Sequence, residues 1–335
     1  MQLERVQPSP LFGANPVQEW EAGASFNPSL LQDGPILRLT YRANRLSGRN
    51  RGEFRLREYM SSVGHGIVNY DEPTKTVSFE RSDTPLIIPD QPYEEGMGCE
   101  DARLSKLDGT YILPYTAVGV NNEGTKAKIR IGLATSSNFT DWEKHGVIGP
   151  DETSKAATFF PRKIKDSYKM LYTLWSDSPQ SSIVQAEFSN LDELIYPASK
   201  MWEENIKSYK ENVVFEYKPG MRRGAEIGAS PIETAYGWLL VYCPPNETGE
   251  DRWDIGAALL DIDDPRKVLA STDSPLLTAE TDEEINAPIC KKAVFPMGAT
   301  IIGEDLLVAH GVGDTSVGFA RINKDELVES LVAKI

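Results

Sequence analysis

A short hydrophobic run, rich in aromatic residues, recurs five times along the chain at intervals of about 57 to 75 residues. Its copies are ILRLTYRA from Ile36, YILPYTA from Tyr111, YKMLYTL from Tyr168, WLLVYC from Trp238 and DLLVAHG from Asp305. A second apolar stretch follows each copy: HGIVNY, KIRIGLATS, SSIVQAEFS, WDIGAALLD and SVGFARI. Gly- or Asp-containing turns precede most copies, which is typical of β-hairpins.

This repeat predicts the fold class. Five units of about 67 residues, each with at least two antiparallel strands, match the blades of a β-propeller. No Gly-, Ser- or Pro-rich linker divides the sequence. We therefore predict an all-β, five-bladed propeller that forms one catalytic domain over residues 1–335.

Helices are predicted in two places only. The C-terminal NKDELVESLVAKI has Asn323 as a candidate N-cap, Glu326 three residues later, and an apolar stripe of Leu327, Leu331 and Val332. The segment DDPRKVLA is expected to form a single helical turn. Polar segments such as SNLDEL are expected to be turns that lead into outer strands.

Charge and composition narrow the choice of partners. The net charge of -15 argues against nucleic acid and anionic membranes as partners. The chain shows neither a signal peptide nor an apolar stretch of about 18 residues, so we expect a soluble, cytoplasmic protein. Three scattered cysteines predict neither a disulfide framework nor a zinc site. No cofactor is expected, and the oligomeric state is left open.

Candidate site residues follow from the propeller prediction. Inner strand ends of all blades surround one axis, so polar residues that are distant in sequence converge there. The candidates come from all five units and are Asn27, Arg42, Asp101, Arg103, Lys155, Glu226 and Asp314.

Six motifs resemble those of the family 130 glycoside hydrolases and phosphorylases. They are, in order, FNPSLLQDGPILRLTYRA, GCEDARL, EIGASPIETAYGWLLVY, DIGAALLDIDDPRKVL, AVFPMGA and GDTSVGFA. The resemblance extends from about Phe26 to Ala320. It implies a five-bladed propeller that acts on β-mannosides with inversion, by phosphorolysis or by hydrolysis, and therefore an oligosaccharide as the small-molecule partner.

The resemblance also implies roles for the residues of GCEDAR. Asp101 matches the catalytic acid, Glu100 is a supporting or sugar-binding neighbour, and Arg103 is their electrostatic partner. The family usually has Pro where this chain has Ala102. An ordinary loop ion pair between Asp101 and Arg103 is the alternative.

Five further candidates concern sugar binding. The resemblance places Asn27 and Asp314 near the sugar at the cleaved end. Arg42 either binds sugar hydroxyls or neutralises the central acids. Aromatic side chains at strand ends, Tyr115 and Trp175, either stack on a sugar face or belong to the core.

The chain departs from the family at the positions that hold phosphate in phosphorolytic members. The family has Arg or Lys, Arg, Lys and His where this sequence has Lys155, Thr173, Glu226 and Cys243. Only Lys155 keeps a positive charge. Because phosphate is bound mainly by cationic donors, these changes predict the loss of its site.

An inverting hydrolase needs a second carboxylate that accepts a proton from the attacking water. Glu226 replaces a phosphate-binding cation and is the leading candidate. Its alternative is a structural ion pair with Arg222 or Arg223. The acidic segment TAETDEEINAP offers other candidates for the base: Glu280, Glu283 and Glu284.

We therefore predict an inverting β-mannoside hydrolase, with β-1,2-linked manno-oligosaccharides as candidate substrates. One alternative is a β-mannoside phosphorylase that releases mannose 1-phosphate and holds phosphate through Lys155 and Arg103. Another is a carbohydrate-binding propeller without catalysis. Residues 47–71, rich in Arg and Gly, are expected to form an insertion over the pocket.

Overall fold

The computed structural model describes residues 1–45, 56–175, 180–247 and 249–335. Antiparallel β-strands dominate this part of the chain. The strands are β1 Glu4–Arg5, β2 Ala24–Asp33, β3 Ile36–Asn44, β4 Ser61–Asp71, β5 Thr76–Arg81, β6 Gly98–Glu100, β7 Ser105–Leu107, β8 Thr110–Val120, β9 Ala127–Ser136, β10 Glu143–Val147, β11 Ser154–Phe159, β12 Tyr168–Leu174, β13 Ser182–Phe188, β14 Val213–Phe215, β15 Ile232–Thr234, β16 Gly237–Tyr242, β17 Gly256–Leu260, β18 Val268–Ser271, β19 Val294–Ile302, β20 Asp305–Val312 and β21 Ser316–Asn323.

Short helices complete the described structure. They are α1 Leu191–Ile195, α2 Ser199–Lys207, α3 Tyr209–Asn212, α4 Asp282–Ile285 and α5 Lys324–Val332. None of these helices has the length and apolar character needed to cross a membrane.

The strands of the described residues form five antiparallel meanders of four strands each. These are β2–β5, β7–β10, β11–β14, β15–β18, and β19–β21 completed by β1. The short β6 pairs in parallel with β4 and antiparallel with β8, and thereby joins the first two meanders into one sheet of nine strands. Because β1 pairs with β21, the start of the chain supplies the outer strand of the last meander.

The repeated hydrophobic runs occupy equivalent places in these meanders. Each run forms the second strand, namely β3, β8, β12, β16 and β20, and each following apolar stretch forms the third. The hairpin between β7 and β8 shows the turn chemistry, since Asp108 and Gly109 have φ of 47° and 83°. A two-residue turn with both φ values positive matches the right-handed twist of paired strands. The mainly β prediction is therefore confirmed.

Apolar clusters lie between each meander and the next. Successive pairs of meanders meet through Val63 and Leu113, Leu133 and Met170, Leu171 and Leu240, and Leu239 and Val308. The last meander also packs against the first, where Phe319 and Leu307 share a cluster with Leu39 and Tyr41. Both faces of the central strands are consequently buried.

The helices between β13 and β14 were not predicted. The segment SNLDEL does not form a turn into an outer strand, because the Asn190 side chain accepts a hydrogen bond from the Glu193 N–H and caps α1. In α2, Trp202 packs its ring edge against Tyr172, with centroids 5.6 Å apart. Asn190 with Glu193 three residues later is a capping signal that was open to sequence analysis.

The two helix predictions had different outcomes. The C-terminal helix α5 is confirmed, and Asn323 Oδ1 accepts from the N–H groups of Asp325 and Glu326 at 3.0 and 3.1 Å. The helical turn predicted in DDPRKVLA is wrong. The Asp261 side chain accepts from the N–H groups of residues 263 and 264, which fixes a turn instead of a helix.

The predicted insertion over residues 47–71 is only partly described. Residues 46–55 lie outside the described part of the chain. Ser61–Asp71 forms β4, a regular strand between β3 and β5, so this half of the segment is not an insertion.

Packing between the first and last meanders generates a stability prediction. Phe319 is 1% exposed, and its replacement by Ala should lower the free energy of unfolding by about 3–5 kcal/mol through lost burial and a cavity. Urea unfolding followed by circular dichroism measures this loss. Tyr236, which is 56% exposed, provides the control, because Tyr236→Ala should stay within about 0.5 kcal/mol of the parent. A Phe319→Ala loss as small as that of the control would contradict the packing described above.

Candidate active site

One cavity of about 240 Å³ brings together side chains from all five meanders and the segments that connect them. It is lined by Asn27, Arg42, Glu100, Asp101, Thr116, Ile129, Lys155, Glu226, Trp253, Cys290, Ala293, Phe295 and Asp314. Six of the seven residues predicted around the axis are among them, together with Glu100. A larger groove of about 750 Å³ beside α2 contains none of them.

Asp101 and Asn27 meet directly in this cavity. Asn27 Nδ2 donates to Asp101 Oδ1 at 2.9 Å, although 74 residues separate them. Both have left-handed backbones, with φ of 51° for Asn27 and 50° for Asp101. Non-glycine residues adopt this conformation rarely, and Asn and Asp tolerate it best. Two such residues in contact within one cavity are typical of a functional site.

Arg42 forms an ion pair with the neighbouring Glu100. Arg42 Nη2 lies 2.5 Å from Glu100 Oε1, and Nη1 lies 3.7 Å from Asp101 Oδ1. Burial raises the pKa of Glu100 to about 7, although Arg42 acts in the opposite direction. Of the two roles considered for Arg42, these contacts favour the neutralisation of the central acids.

Glu226 is held by three donors. Its Oε2 lies 2.9 Å from Lys155 Nζ, and its Oε1 accepts from Arg223 Nη1 at 3.0 Å and from Trp253 Nε1 at 3.4 Å. Burial by itself would raise the pKa of Glu226, but Lys155 and Arg223 outweigh it and lower the pKa to about 2. The structural ion pair with Arg223 is thus present, yet Glu226 also lines the cavity.

Sequence reasoning missed Trp253 as a site residue. It lies between β16 and β17, and the Arg223 guanidinium stacks over its ring at 4.8 Å from the centroid. Its position beside Glu226 depends on the path of a connecting segment. A single tryptophan in such a segment gives no periodic signal.

Two of the positions matched to the phosphate cluster do not line the cavity. Thr173 is buried, and its Oγ1 accepts from the Ile227 N–H at 3.1 Å. Cys243 is also buried, and its Sγ lies 3.5 and 3.4 Å from the two terminal nitrogens of Arg223. Both side chains therefore stabilise the Glu226 segment without reaching the cavity.

The prediction that Arg103 lies among the residues that line the cavity, where it could bind phosphate, is wrong. Its side chain is fully buried and does not line the cavity. Its donors reach the carbonyl oxygens of Gly228, Ile227 and Asp101 at 2.7, 2.8 and 3.0 Å. The alternative, a side-chain ion pair with Asp101, is not formed either, because Arg103 contacts the carbonyl oxygen of Asp101.

The alternative bases in TAETDEEINAP lie outside this cavity as well. Glu284 caps α4 and pairs with Arg5 at 2.7 Å, and Glu280 pairs with the same arginine at 3.0 Å. Glu283 does not line the cavity. The site therefore leaves Glu226 as the candidate for the base among these four residues.

The two aromatic candidates do not line the cavity either. Tyr115 is buried in an apolar cluster, and its hydroxyl donates to Glu94 Oε1 at 2.6 Å. Trp175 packs against Tyr209, with ring centroids 5.0 Å apart. Of their two possible roles, the core position is the one observed.

Charge in the cavity is predominantly negative. Its lining includes four carboxylate side chains and two cations, Arg42 and Lys155, and each cation is within ion-pair distance of a carboxylate. Such a lining suits a neutral ligand with many hydroxyl groups. An anionic ligand would meet net repulsion.

Several known proteins are similar to this chain in sequence or in fold. The sequence model of glycoside hydrolase family 130, described as β-1,4-mannooligosaccharide phosphorylase, matches residues 20–333. A 1,2-β-oligomannan phosphorylase from Thermoanaerobacter sp. (strain X514) is 30% identical over 329 residues, which cover 98% of this chain and 99% of that protein.

Two solved structures show the same fold. The complex of Listeria innocua β-1,2-mannobiose phosphorylase with β-1,2-mannobiose has a TM-score of 0.77 at 23% identity and covers 99% of this chain and 100% of its own. The second represents a family of mannoside phosphorylases that contains glycoside hydrolases targeting β-1,2 mannosidic linkages in Candida mannan. Its TM-score is 0.73 at 20% identity, with 96% of this chain and 94% of that chain covered.

These comparisons bear on the reaction predicted from the sequence. The relative with 30% identity is named a phosphorylase, and the description of the matching sequence model also names a phosphorylase. The prediction of hydrolysis is therefore not confirmed by the comparisons. The phosphorylase alternative agrees better with the names of the relatives.

The low pKa of Glu226 generates a prediction about acid stability. The folded state holds the Glu226 proton more weakly than the unfolded chain, so this residue stabilises the fold above about pH 4.5 and loses that effect as the pH falls toward 2. The unfolding free energy of the parent minus that of Glu226→Gln should thus grow by about 3 kcal/mol from pH 2 to pH 5. Urea unfolding over this range provides the measurement. Glu211→Gln, at an exposed position, is the control. If the difference between the parent and Glu226→Gln stayed constant with pH, the ion pairs assigned to Glu226 would be refuted.

Proposed function

The chain belongs to glycoside hydrolase family 130, as its motifs predicted, and on that premise we propose that it hydrolyses β-linked manno-oligosaccharides. The candidate substrates are β-1,2-linked, because the relative with 30% identity is an enzyme of 1,2-β-oligomannan. Action on mannosides is common to the family, whereas the choice of water as the acceptor is specific to this proposal.

The ion pairs of Glu226 carry the proposal of hydrolysis. Lys155 and Arg223, the cations nearest to this side of the cavity, both bind the Glu226 carboxylate. A phosphate at about 4 Å from that carboxylate would be repelled by about 1 kcal/mol per pair of unit charges in water and about 4 kcal/mol at an effective dielectric constant of 20. A water molecule is neutral, so it can occupy the same position beside Glu226 without this repulsion.

In the proposed mechanism, Asp101 donates a proton to the departing glycosidic oxygen, and Glu226 accepts a proton from the water that attacks the anomeric carbon. This arrangement inverts the configuration, and such carboxyl pairs generally lie about 6.5–9.5 Å apart. The lowered pKa keeps Glu226 ionised, which a base requires, but it also reduces the proton affinity. If Lys155 contacted a sugar hydroxyl, its electrostatic interaction with Glu226 would weaken and the pKa of Glu226 would rise.

The remaining polar lining would bind the sugar. Asn27 and Asp314 lie in the cavity with left-handed backbones, and Asp314 has φ of 59°. The pair of Arg42 and Glu100 offers both donors and an acceptor to sugar hydroxyls. Charged groups held in a buried pair discriminate strongly against ligands that lack the matching hydroxyl.

Phosphorolysis is the second candidate function, and the names of the relatives favour it. In that case Lys155 and Arg223 would bind phosphate in place of the Glu226 carboxylate, and mannose 1-phosphate would be the product. A carbohydrate-binding protein without catalysis is the third possibility, and the placement of Asp101 and Glu226 in one cavity disfavours it.

We also propose that the five meanders are the blades of one five-bladed β-propeller domain. The support is the succession of apolar clusters, which link each meander to the next and the last to the first. In such a ring the cavity lies on the central axis, which accounts for its lining by residues as distant as Asn27 and Asp314.

The reaction can be identified from its products. Purified protein incubated with β-1,2-mannobiose should release free mannose at the same rate with and without added phosphate. The physical reason is that Glu226 already pairs with the cations that would bind phosphate and repels a phosphate beside them. High-performance anion-exchange chromatography separates mannose from mannose 1-phosphate. Formation of mannose 1-phosphate, or a rate that depends on phosphate, would replace hydrolysis by phosphorolysis.

Removal of the proposed acid should abolish turnover. Asp101→Asn keeps the shape of the side chain but cannot donate an acidic proton, so kcat on β-1,2-mannobiose should fall by about 10²- to 10⁴-fold. Asp263→Asn, at an exposed position, should retain the parental rate. Circular dichroism would establish that both variants are folded. Activity of Asp101→Asn within a few-fold of the parent would remove Asp101 from the mechanism.

A further inference from the structure

Arg103 lies completely buried between the two segments that carry Asp101 and Glu226. Its Nη1 donates to the carbonyl oxygen of Asp101 at 3.0 Å, its Nη2 to that of Ile227 at 2.8 Å, and its Nε to that of Gly228 at 2.7 Å. One planar guanidinium therefore binds the backbone of the proposed acid and the backbone of the two residues that follow the proposed base.

The segment after Glu226 is also fixed from its other sides. The backbone of Glu226 exchanges two hydrogen bonds with that of Cys243, at 3.0 and 3.1 Å, and Thr173 accepts from the Ile227 N–H. Gly228 packs so closely on β16 that a Cβ there would lie 2.3 Å from the Val241 carbonyl oxygen. Since this segment is anchored, Arg103 transmits its position to the Asp101 backbone.

We propose that Arg103 is a positioning residue that sets the separation between the carboxyl groups of Asp101 and Glu226. The proposal rests on the roles assigned to these two residues above. An inverting pair must leave room for one acceptor molecule, and a displacement of about 1 Å can cost about 10²-fold in rate.

The chemistry of arginine explains why this residue type occupies the position. Its planar fork presents five N–H donors in fixed directions, and three carbonyl oxygens meet that geometry here. Burial lowers the pKa of Arg103 to about 10, so the group stays charged at neutral pH. Lysine offers a single nitrogen and cannot reach all three oxygens in the same plane.

Two assays separate a positioning role from a general structural one. Cleavage of β-1,2-mannobiose needs both carboxylates. With 2,4-dinitrophenyl β-mannoside, Glu226 takes a proton from water, the water oxygen forms a bond to the anomeric carbon, the C–O bond breaks, and dinitrophenolate leaves without a proton. This second reaction needs the base but no acid, so it reports on folded enzyme that binds the sugar, whatever the position of Asp101.

For Arg103→Lys we expect kcat on β-1,2-mannobiose to fall by about 10²-fold, while hydrolysis of 2,4-dinitrophenyl β-mannoside stays within about fivefold of the parent. Arg103→Met is the second variant, because it is similar in length and leaves no unpaired buried charge if Lys prevents folding. Equal losses in the two reactions would overturn the proposal, since a smaller folded fraction lowers both alike.

Arg5 provides the matched control. It is also a largely buried arginine that donates to a carbonyl oxygen, that of Thr278 at 2.6 Å, and to Glu284, but it lies outside the cavity. Arg5→Lys should lower the melting temperature without changing the ratio of the two rates. Parental protein that cleaves no β-mannoside, with or without phosphate, would overturn the proposed function and this inference together. An active parent with an unchanged ratio in the Arg103 variants would overturn this inference alone.

Discussion

The burial of both faces of each four-stranded meander is the constraint on which the rest of the structure depends. A small antiparallel sheet that is apolar on both faces cannot remain exposed to water, and each meander therefore packs against two neighbours. Phe319 of the last meander and Tyr41 of the first belong to one apolar cluster, so these two meanders also pack together. Side chains from all five meanders and their connecting segments line one cavity.

Charge balance in that cavity is the second constraint. Among the described residues, four carboxylates and two cations line it. Ion pairs reduce the energetic cost of burying these carboxylates. Glu100 pairs with Arg42, and Glu226 pairs with Lys155 and Arg223. The two glutamates nevertheless differ in chemistry, because burial dominates at Glu100 and raises its pKa to about 7, whereas two cations dominate at Glu226 and lower its pKa to about 2.

The choice between water and phosphate brings two kinds of observation into conflict. The relative with 30% identity is a phosphorylase, and at this level of identity the family is shared while single site residues still differ. The site itself carries a carboxylate that occupies both nearby cations. The acceptor is selected by the local charges that it meets and not by the average similarity of the chain, and these charges support the proposal of hydrolysis.

The sequence by itself determined the mainly β architecture, its five repeated strand pairs and the C-terminal helix, because these depend on local periodicity, turn residues and the Asn323 cap. Its motifs also determined the family and most of the residues that line the cavity. Local patterns did not reveal the helices that follow Asn190, although the capping signal was present.

Only the tertiary structure decided which charged groups meet. Arg103 was expected among the residues around the axis, but the fold places it in the interior, where backbone carbonyl oxygens accept its hydrogen bonds. Trp253 reaches Glu226 through the path of a connecting segment that no local rule specifies. A hydrogen bond between residues far apart in sequence depends on how the meanders pack together, so a pattern in one stretch of sequence cannot specify it.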